Sequence, residues 1–411
     1  MTSKQRIALW FAGAATIFFT RAFLYSTWVS RGPEVQDALG INTAQMGLLA
    51  MLYPAGGLAG VMFAGSLVHR YGTRTVNTAT FAVAGSAFAV LGFAVDSGNF
   101  LVSCICLFFM GLPMALSDFI GNLEGTAVDK AAKRSIFSAF HGLFGIGMLV
   151  GAGLASWLIN AGVSLSISFL TVGIFIGVVS IVGGYGFPKH KEPDVSAAKK
   201  AENRKVAAKV WTEKRSLLLA VVGFTFIMAE MSAGIWVPLA LTRVGYTGAE
   251  AAAAFGVFWI VITLVRLVGG YVLDLIGRYA LVLASIIFTA VGMVVFMTSE
   301  ATHLEYLGLI LWGLGVAVGF PMVIASMSDD QSMAAPRVNM IITVVYISSI
   351  LVGPVIGTIG QVFSIYAAFG VPLALMVVDE EGLVMASNAM ALRLFQPLES
   401  DPPLHFLLPF V

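Results

Sequence analysis

Six ionisable side chains stand inside long apolar runs: Arg21, Asp118, Glu124, His141, Glu230 and Arg266. Holding a charge in such surroundings is expensive, so each is a candidate for work on a solute or a proton. Glu230 is the plainest case, centred in Phe-Ile-Met-Ala-Glu-Met-Ser-Ala-Gly-Ile-Trp. A carboxylate there must be paired, hydrated or protonated, which makes Glu230 either a proton carrier or a structural partner of Arg266 or Arg21. Asp118 and Asn122 are four apart and share a helix face. They read as cavity-facing, Asp118 to carry a proton and Asn122 to bind a solute; a helix-packing hydrogen bond is the alternative for Asp118. Glu124 lies off that face by about 120° and reads as an interfacial gate or salt bridge near Lys130. Arg266 is permanently charged and either neutralises Glu230 or binds an anionic substrate, and Arg21 has the same two readings. His141 either relays protons or packs through a hydrogen bond. Trp28, Trp236 and Tyr346 offer a ring-shaped solute an apolar face and a polar handle, although aromatics at span ends also form an interfacial belt.

The elements that position these groups follow from composition. Of 411 residues, 58% are hydrophobic and 11% charged, where a soluble domain carries roughly 25% charged residues. Lys plus Arg is 23 and Asp plus Glu 22, a net of +1. The segment 188–215 alone holds nine of the cations and four of the acids, which leaves the rest sparser still. This excludes a soluble enzyme, a nucleic-acid binder and a disordered tail protein, and implies an all-α polytopic membrane protein. Cys104 and Cys106, two apart on a helix, point about 200° from each other, so they form neither a disulfide nor a metal site.

Segments of about 20 apolar residues cross the hydrocarbon core as helices. They are read at 7–30, 44–69, 76–95, 99–126, 135–160 and 164–187, then at 216–242, 250–275, 279–298, 304–328 and 337–362, with a doubtful last one from 365. That makes twelve, six on either side of a hydrophilic linker. The N-terminal Lys4 and Arg6 before an apolar run resemble a signal peptide, but the run continues to about Trp28 with no cleavage site at the right depth, so it reads as the first span. Placing the N-terminus in the cytoplasm puts 18 of the 23 cations inside and only Arg31 and Arg243 outside, which fixes the orientation. Domain limits follow: an N-terminal bundle 1–187, a cytoplasmic linker 188–215, a C-terminal bundle 216–378 and an atypical tail 379–411. The basic linker either binds anionic lipid or is a solvated loop.

The two halves look duplicated. Gly65, His69, Arg70 and Gly72 follow span 2, and Gly270, Asp274, Gly277 and Arg278 follow span 8. An offset of 205 superposes Gly65 on Gly270 and Gly72 on Gly277, and Trp28 and Trp236 lie 208 apart. A tight turn between two spans needs glycine for positive φ and close approach. An Asp beside it and an Arg on the neighbouring loop suit a charge relay between the bundles. The pattern G-x-x-x-D-[RK]-x-G-[RK] resembles the signature loop of the major facilitator superfamily, with His69 in place of the first acid and Leu275 in a basic position. Asp118-Phe-Ile-Gly-Asn122 resembles the E-x-x-x-N element of the fucose–proton symporter family. Arg266-Leu-Val-Gly-Gly, Phe320-Pro321 and Gly353-Pro354-x-x-Gly357 are similar to further elements of that family. Trp28, Arg31 and Pro33, with Asn122, Glu124 and Gly125, His141-Gly142, the span-7 Glu230 and Gly319-Phe-Pro, resemble an uncharacterised bacterial inner-membrane branch, the YbjJ type. The symporter family has an acid in span 1 near where Trp28 stands here.

The resemblance implies a major facilitator fold in a bacterial inner membrane and transport by alternating access, with the proton load on Asp118 and Glu230. Its implied partners are a small solute, a proton and the bilayer, with no nucleic acid, and the chain is expected to be a monomer. No G-x-x-x-x-G-K-[ST] is present, so energy must come from a gradient and no cofactor is expected. Proton-coupled symport of a sugar-like solute is the first reading. Proton-driven export of a metabolite or drug is the second, and a transporter-like sensor the third. No His/Glu metal cluster or nucleophile–base pair appears in any span, so an enzyme is not expected. The last span meets Asp379, Glu380 and Glu381 after only 14 residues, and the stretch from Leu383 to Phe395 resembles the opening of a PAS domain. A truncated or frame-shifted gene accounts for such an end.

Overall fold

In a bilayer the backbone has no water to bond, so long apolar segments close their hydrogen bonds as helices. The computed structural model describes residues 3–132, 137–188, 206, 208–299, 303–330 and 332–377, and no strand occurs among them. The helices are α1 (Ser3–Ser30), α2 (Gly32–Leu39), α3 (Thr43–Tyr71), α4 (Thr73–Asp96), α5 (Phe100–Ala132), α6 (Phe137–Asn160) and α7 (Leu165–Gly184). After the linker come α8 (Lys214–Arg243), α9 (Gly248–Thr298), α10 (Leu304–Met327), α11 (Ala334–Val362), α12 (Ile365–Ala368) and α13 (Gly370–Val377). Local signals start several of them. Asn42 and Gln45 form a capping box at α3, Thr247 and Glu250 do the same at α9, and Ser164 caps α7.

Ten helices among the described residues are long and apolar enough to cross a membrane. One of them, α9, has 51 residues, about twice what a hydrocarbon core of ~30 Å requires. It breaks at Gly277, where φ is 76°, and so makes two crossings. Gly72, between α3 and α4, has φ 81°. The two glycines that the repeat superposes thus make the same left-handed turn. The span read as doubtful from 365 is not completed among the described residues. The last apolar helical stretch, Ile365–Met376, is shorter than a crossing, and the PAS-like tail and most of the linker lie outside the described residues.

Helices α1 and α3–α7 pack on one another, as do α8–α13, and the two bundles meet where α3 lies on α11 and α6 on α9. These seams depend on small residues. A Cβ on Gly357 would lie 2.8 Å from Thr43 O and 2.9 Å from Gly47 Cα. One on Gly256 would touch Ala152 Cβ at 3.4 Å. Several glycines of span 5 serve inside their own bundle; a Cβ on Gly151 would meet Phe23 O at 2.7 Å.

Candidate functional site

A cavity of about 620 Å³ lies between the bundles, within the 300–1,000 Å³ range of small-molecule sites. Arg21, Asp118, Asn122, His141, Glu230, Arg266, Trp28, Trp236 and Tyr346 all line it. Each bundle contributes one ion pair. On the first wall Arg21 of α1 pairs with Asp118 Oδ1 of α5. The Arg21 guanidinium sits between the rings of Phe18 and Phe144, 5.8 and 5.2 Å from their centroids. Asn122 Nδ2 donates to Asp118 Oδ1 at 3.1 Å and to Asp118 O at 2.9 Å, so the two side chains do share a face. On the second wall Arg266 Nη2 donates to both oxygens of Glu230 at 3.0 Å, and Arg266 Nε donates to Ala317 O at 3.0 Å. Arg266 and Glu230 are thus an ion pair on the cavity wall.

The walls between the charges are aromatic. Tyr25 and Tyr53 lie 5.3 Å apart, and Phe144 reaches across the bundles to Trp259 at 5.9 Å. Trp28 and Trp236 are both buried at the cavity's end away from the linker, which rules out the interfacial-belt reading for this pair. Trp157 and Trp211 are the exposed ones. Tyr25 and Tyr53 were not singled out from the sequence. Tyr25 carries a usable signal, since Arg21, Tyr25 and Trp28 recur at helical spacing along one stripe.

The cavity opens toward the linker. The contacts that join the bundles gather at the other end: Arg243 Nη2 donates to Gln36 Oε1 at 3.1 Å, Thr43 N to Gln361 Oε1 at 2.9 Å and Ser156 Oγ to Ala249 O at 2.8 Å. Helix α2 closes this end. It is held by the buried Arg31, which donates to Glu34 Oε2 at 2.5 Å and Val163 O at 2.7 Å. Toward the linker the lining residues Thr126 and Ile342 are exposed.

Glu124 is buried and accepts from Trp10 Nε1 at 2.6 Å, inside its own bundle. The expected charge relay between the bundles is not seen among the described residues at the second copy of the signature loop, where the contacts stay within one bundle. Arg278 is buried and its Nη1 donates to Asp329 at 3.0 Å and to Ser326 Oγ at 3.1 Å, while Arg215 Nη2 reaches the same Asp329 at 2.7 Å. Asp274 is exposed and has no partner among the described residues. Gly65 and Arg70 are exposed and Gly270 is half-buried, with the Arg70 guanidinium 5.2 Å over the Tyr71 ring. Beside the Asp329 cluster, the Arg337 guanidinium donates to Glu213 at 2.9 Å and holds its carboxyl below the usual carboxylate range.

Residues 11–354 match the family model of the Major Facilitator Superfamily. The chain belongs to that superfamily. Among curated relatives, it is 28% identical over 371 residues to an uncharacterised MFS-type transporter of Yersinia pestis, covering 88% of this chain and 92% of the relative. It is 27% identical over 375 residues to membrane protein MosC of Rhizobium meliloti, covering 90% and 86%. Among solved structures its fold is similar to those of the nucleoside transporter NupG and FucP. NupG gives a TM-score of 0.69 at 15% identity, covering 92% of this chain and 97% of that one. FucP, a transporter of the same superfamily in its outward conformation, gives 0.64 at 15%, covering 89% and 95%. A D-xylose-proton symporter gives 0.66 at 12%, covering 93% and 98%. The superfamily membership agrees with the paired bundles, the duplicated glycine turns and the central cavity. Among the described residues no cluster of His, Cys, Asp or Glu is arranged to hold a metal ion.

Proposed function

We propose that this chain is a secondary active transporter that moves a small polar, sugar-like solute across a bacterial inner membrane by proton-coupled symport. The observation that carries the reading is a cavity between two bundles with one arginine–carboxylate pair on each wall. The N-terminus and the linker lie in the cytoplasm, so the structure stands open to the inside. The bundles 1–187 and 216–378 rock about the cavity as a monomer, and Asp274, Arg278 and the other signature-loop groups guard the cytoplasmic mouth.

Coupling starts at Asp118. Its side chain is 41% exposed and that of Glu230 5%, so cytoplasmic water meets the first carboxylate and not the second. A proton on Asp118 cancels its charge and weakens its hold on Arg21, and the freed guanidinium must then find another acceptor. Glu230 exchanges a proton only when Arg266 turns away from it, which happens as the bundles rock about the bound solute. Asn122, Trp28, Trp236 and Tyr346 contact the solute. The test is proton movement into proteoliposomes after pulses of a sugar panel with no imposed gradient. Acidification on one sugar supports symport, and Asp118→Asn should shift the pH dependence of that flux. Silence across the panel with reconstitution verified removes the sugar assignment, and an unchanged pH profile removes Asp118 from coupling.

A further inference from the structure

The two ion pairs face the cavity in opposite senses. On the first wall the acid is forward: Asp118 is 41% exposed and Arg21 17%. On the second wall the base is forward: Arg266 is 28% exposed and Glu230 5%. The remaining hydrogen-bonding capacity follows the same order. Asp118 Oδ1 takes Arg21 and Asn122, leaving Oδ2 with no partner among the described residues. Arg266 spends Nε on Ala317 and Nη2 on Glu230, leaving the two N–H groups of Nη1 with no partner among the described residues. One wall therefore offers a vacant anionic acceptor and the other a vacant cationic donor, across a space lined by both bundles.

We propose that the cavity selects a dipolar solute of zero net charge, an amine at one end turned to Asp118 and a carboxylate at the other turned to Arg266. This rests on the transport reading above and refines its substrate class. Two carboxyl groups and two guanidinium groups are already paired here, so a solute with net charge would leave an uncompensated charge in a low-dielectric site or break one of the pairs. A zwitterion adds a charge-assisted hydrogen bond on each wall and disturbs neither pair. A neutral polyol also meets both walls, but with weaker bonds.

The probes are straight-chain ω-amino acids of three to six carbons, compared with n-butylamine, butanoate, 1,4-butanediol and glucose. The full chain in nanodiscs is titrated with each, reading ligand-induced thermal stabilisation. Within the amino-acid ladder one length should bind best, since the walls set the gap. That length should bind about tenfold or more tightly than the matched amine, acid or diol, as each lost charged contact weakens binding. Asp118→Asn should remove the advantage over butanoate and keep that over butylamine. Glu230→Gln combined with Arg266→Gln should do the reverse without stranding a buried carboxylate. Glucose or the diol binding ahead of every amino acid overturns the inference and leaves the transport reading standing. Stabilisation by none of the probes also overturns it. The transport reading itself fails on a separate result, the absence of any solute-driven proton flux in proteoliposomes given both sugars and the amino-acid ladder.

Discussion

Replacing Gly357 by Ala should force open the end of the molecule that is now closed. A Cβ at this position would lie 2.8 Å from Thr43 O, 2.9 Å from Gly47 Cα and 3.2 Å from Gly47 N, all backbone atoms on the opposite bundle. No side-chain rotation relieves such contacts. Comfortable separations are ~3.5–4.0 Å, so α11 must back away from α3 by roughly 0.6–1 Å. That loosens the hydrogen bond from Thr43 N to Gln361 Oε1, 2.9 Å long and close to the same seam. Overpacking of this size costs about 1–3 kcal/mol. Because the penalty falls on the closed state alone, the ratio of closed to open should change by about 5- to 150-fold. The assay is electron–electron spin distance measurement between labels at Asp37, on the first bundle, and Val362, on the second, after Cys104 and Cys106 are changed to Ser. The variant should gain a long-distance population that the parent lacks. A parent-like distribution in a folded Gly357→Ala protein would show that this seam does not hold the end shut.

Three further outcomes are expected. Glu230→Gln should abolish gradient-driven accumulation while preserving exchange of solute across the membrane, and normal accumulation would remove Glu230 from coupling. Asp329→Ala strips Arg278 and Arg215 of a shared partner whose side chain is 2% exposed, so the protein should lose about 3–5 kcal/mol of stability; an unchanged unfolding temperature in detergent would refute the cluster's importance. Glu213, held below its ordinary range first by the Arg337 hydrogen bond, stabilises the fold above its unfolded value of about 4.3, and that contribution is lost as pH falls through the lower folded value. Thermal stability should therefore drop on the acid side, and Glu213→Gln should flatten that limb; identical acid limbs would contradict the pairing.

What the sequence reveals here is what lies within one helix. Asp118 and Asn122 share a face because four residues nearly complete a turn, and Gly72 and Gly277 mark turns that only positive φ can make. Partners on different helices are set by tilt and rotation, which packing decides and spacing does not encode. Arg21 has Asp118 as its mate, Glu124 takes Trp10, and Arg278 takes Asp329 instead of an acid on its own loop. Glu230 and Arg266 were candidates for each other because each was expensive alone, and that argument from cost succeeded where periodicity had nothing to offer. Tyr25 and Tyr53 went unnoticed because a tyrosine in an apolar run costs little and so raises no question.

The duplication carries the scaffold and not the charges. The 205-residue offset that places Gly65 on Gly270 takes Glu230 to Tyr25 and Arg266 to Val61, and takes Arg21 to Phe226 and Asp118 to Val323. The 208-residue offset that aligns Trp28 with Trp236 takes the same four to Ala22, Leu58, Ala229 and Ser326. In neither register does a charge meet a charge, whereas the turn glycines and the buried tryptophans do correspond. Alternating access requires two bundles that hinge alike, which repetition supplies at Gly72 and Gly277. Recognition of a solute with two unlike ends requires walls that differ, and here one wall advances a carboxylate and the other a guanidinium. If the charges had been repeated with the scaffold, the cavity would have offered the same group from both sides, and a solute could bind in either direction. The break in symmetry confines the orienting groups to the middle of a frame that is otherwise repeated, and so fixes which end of the solute each bundle holds.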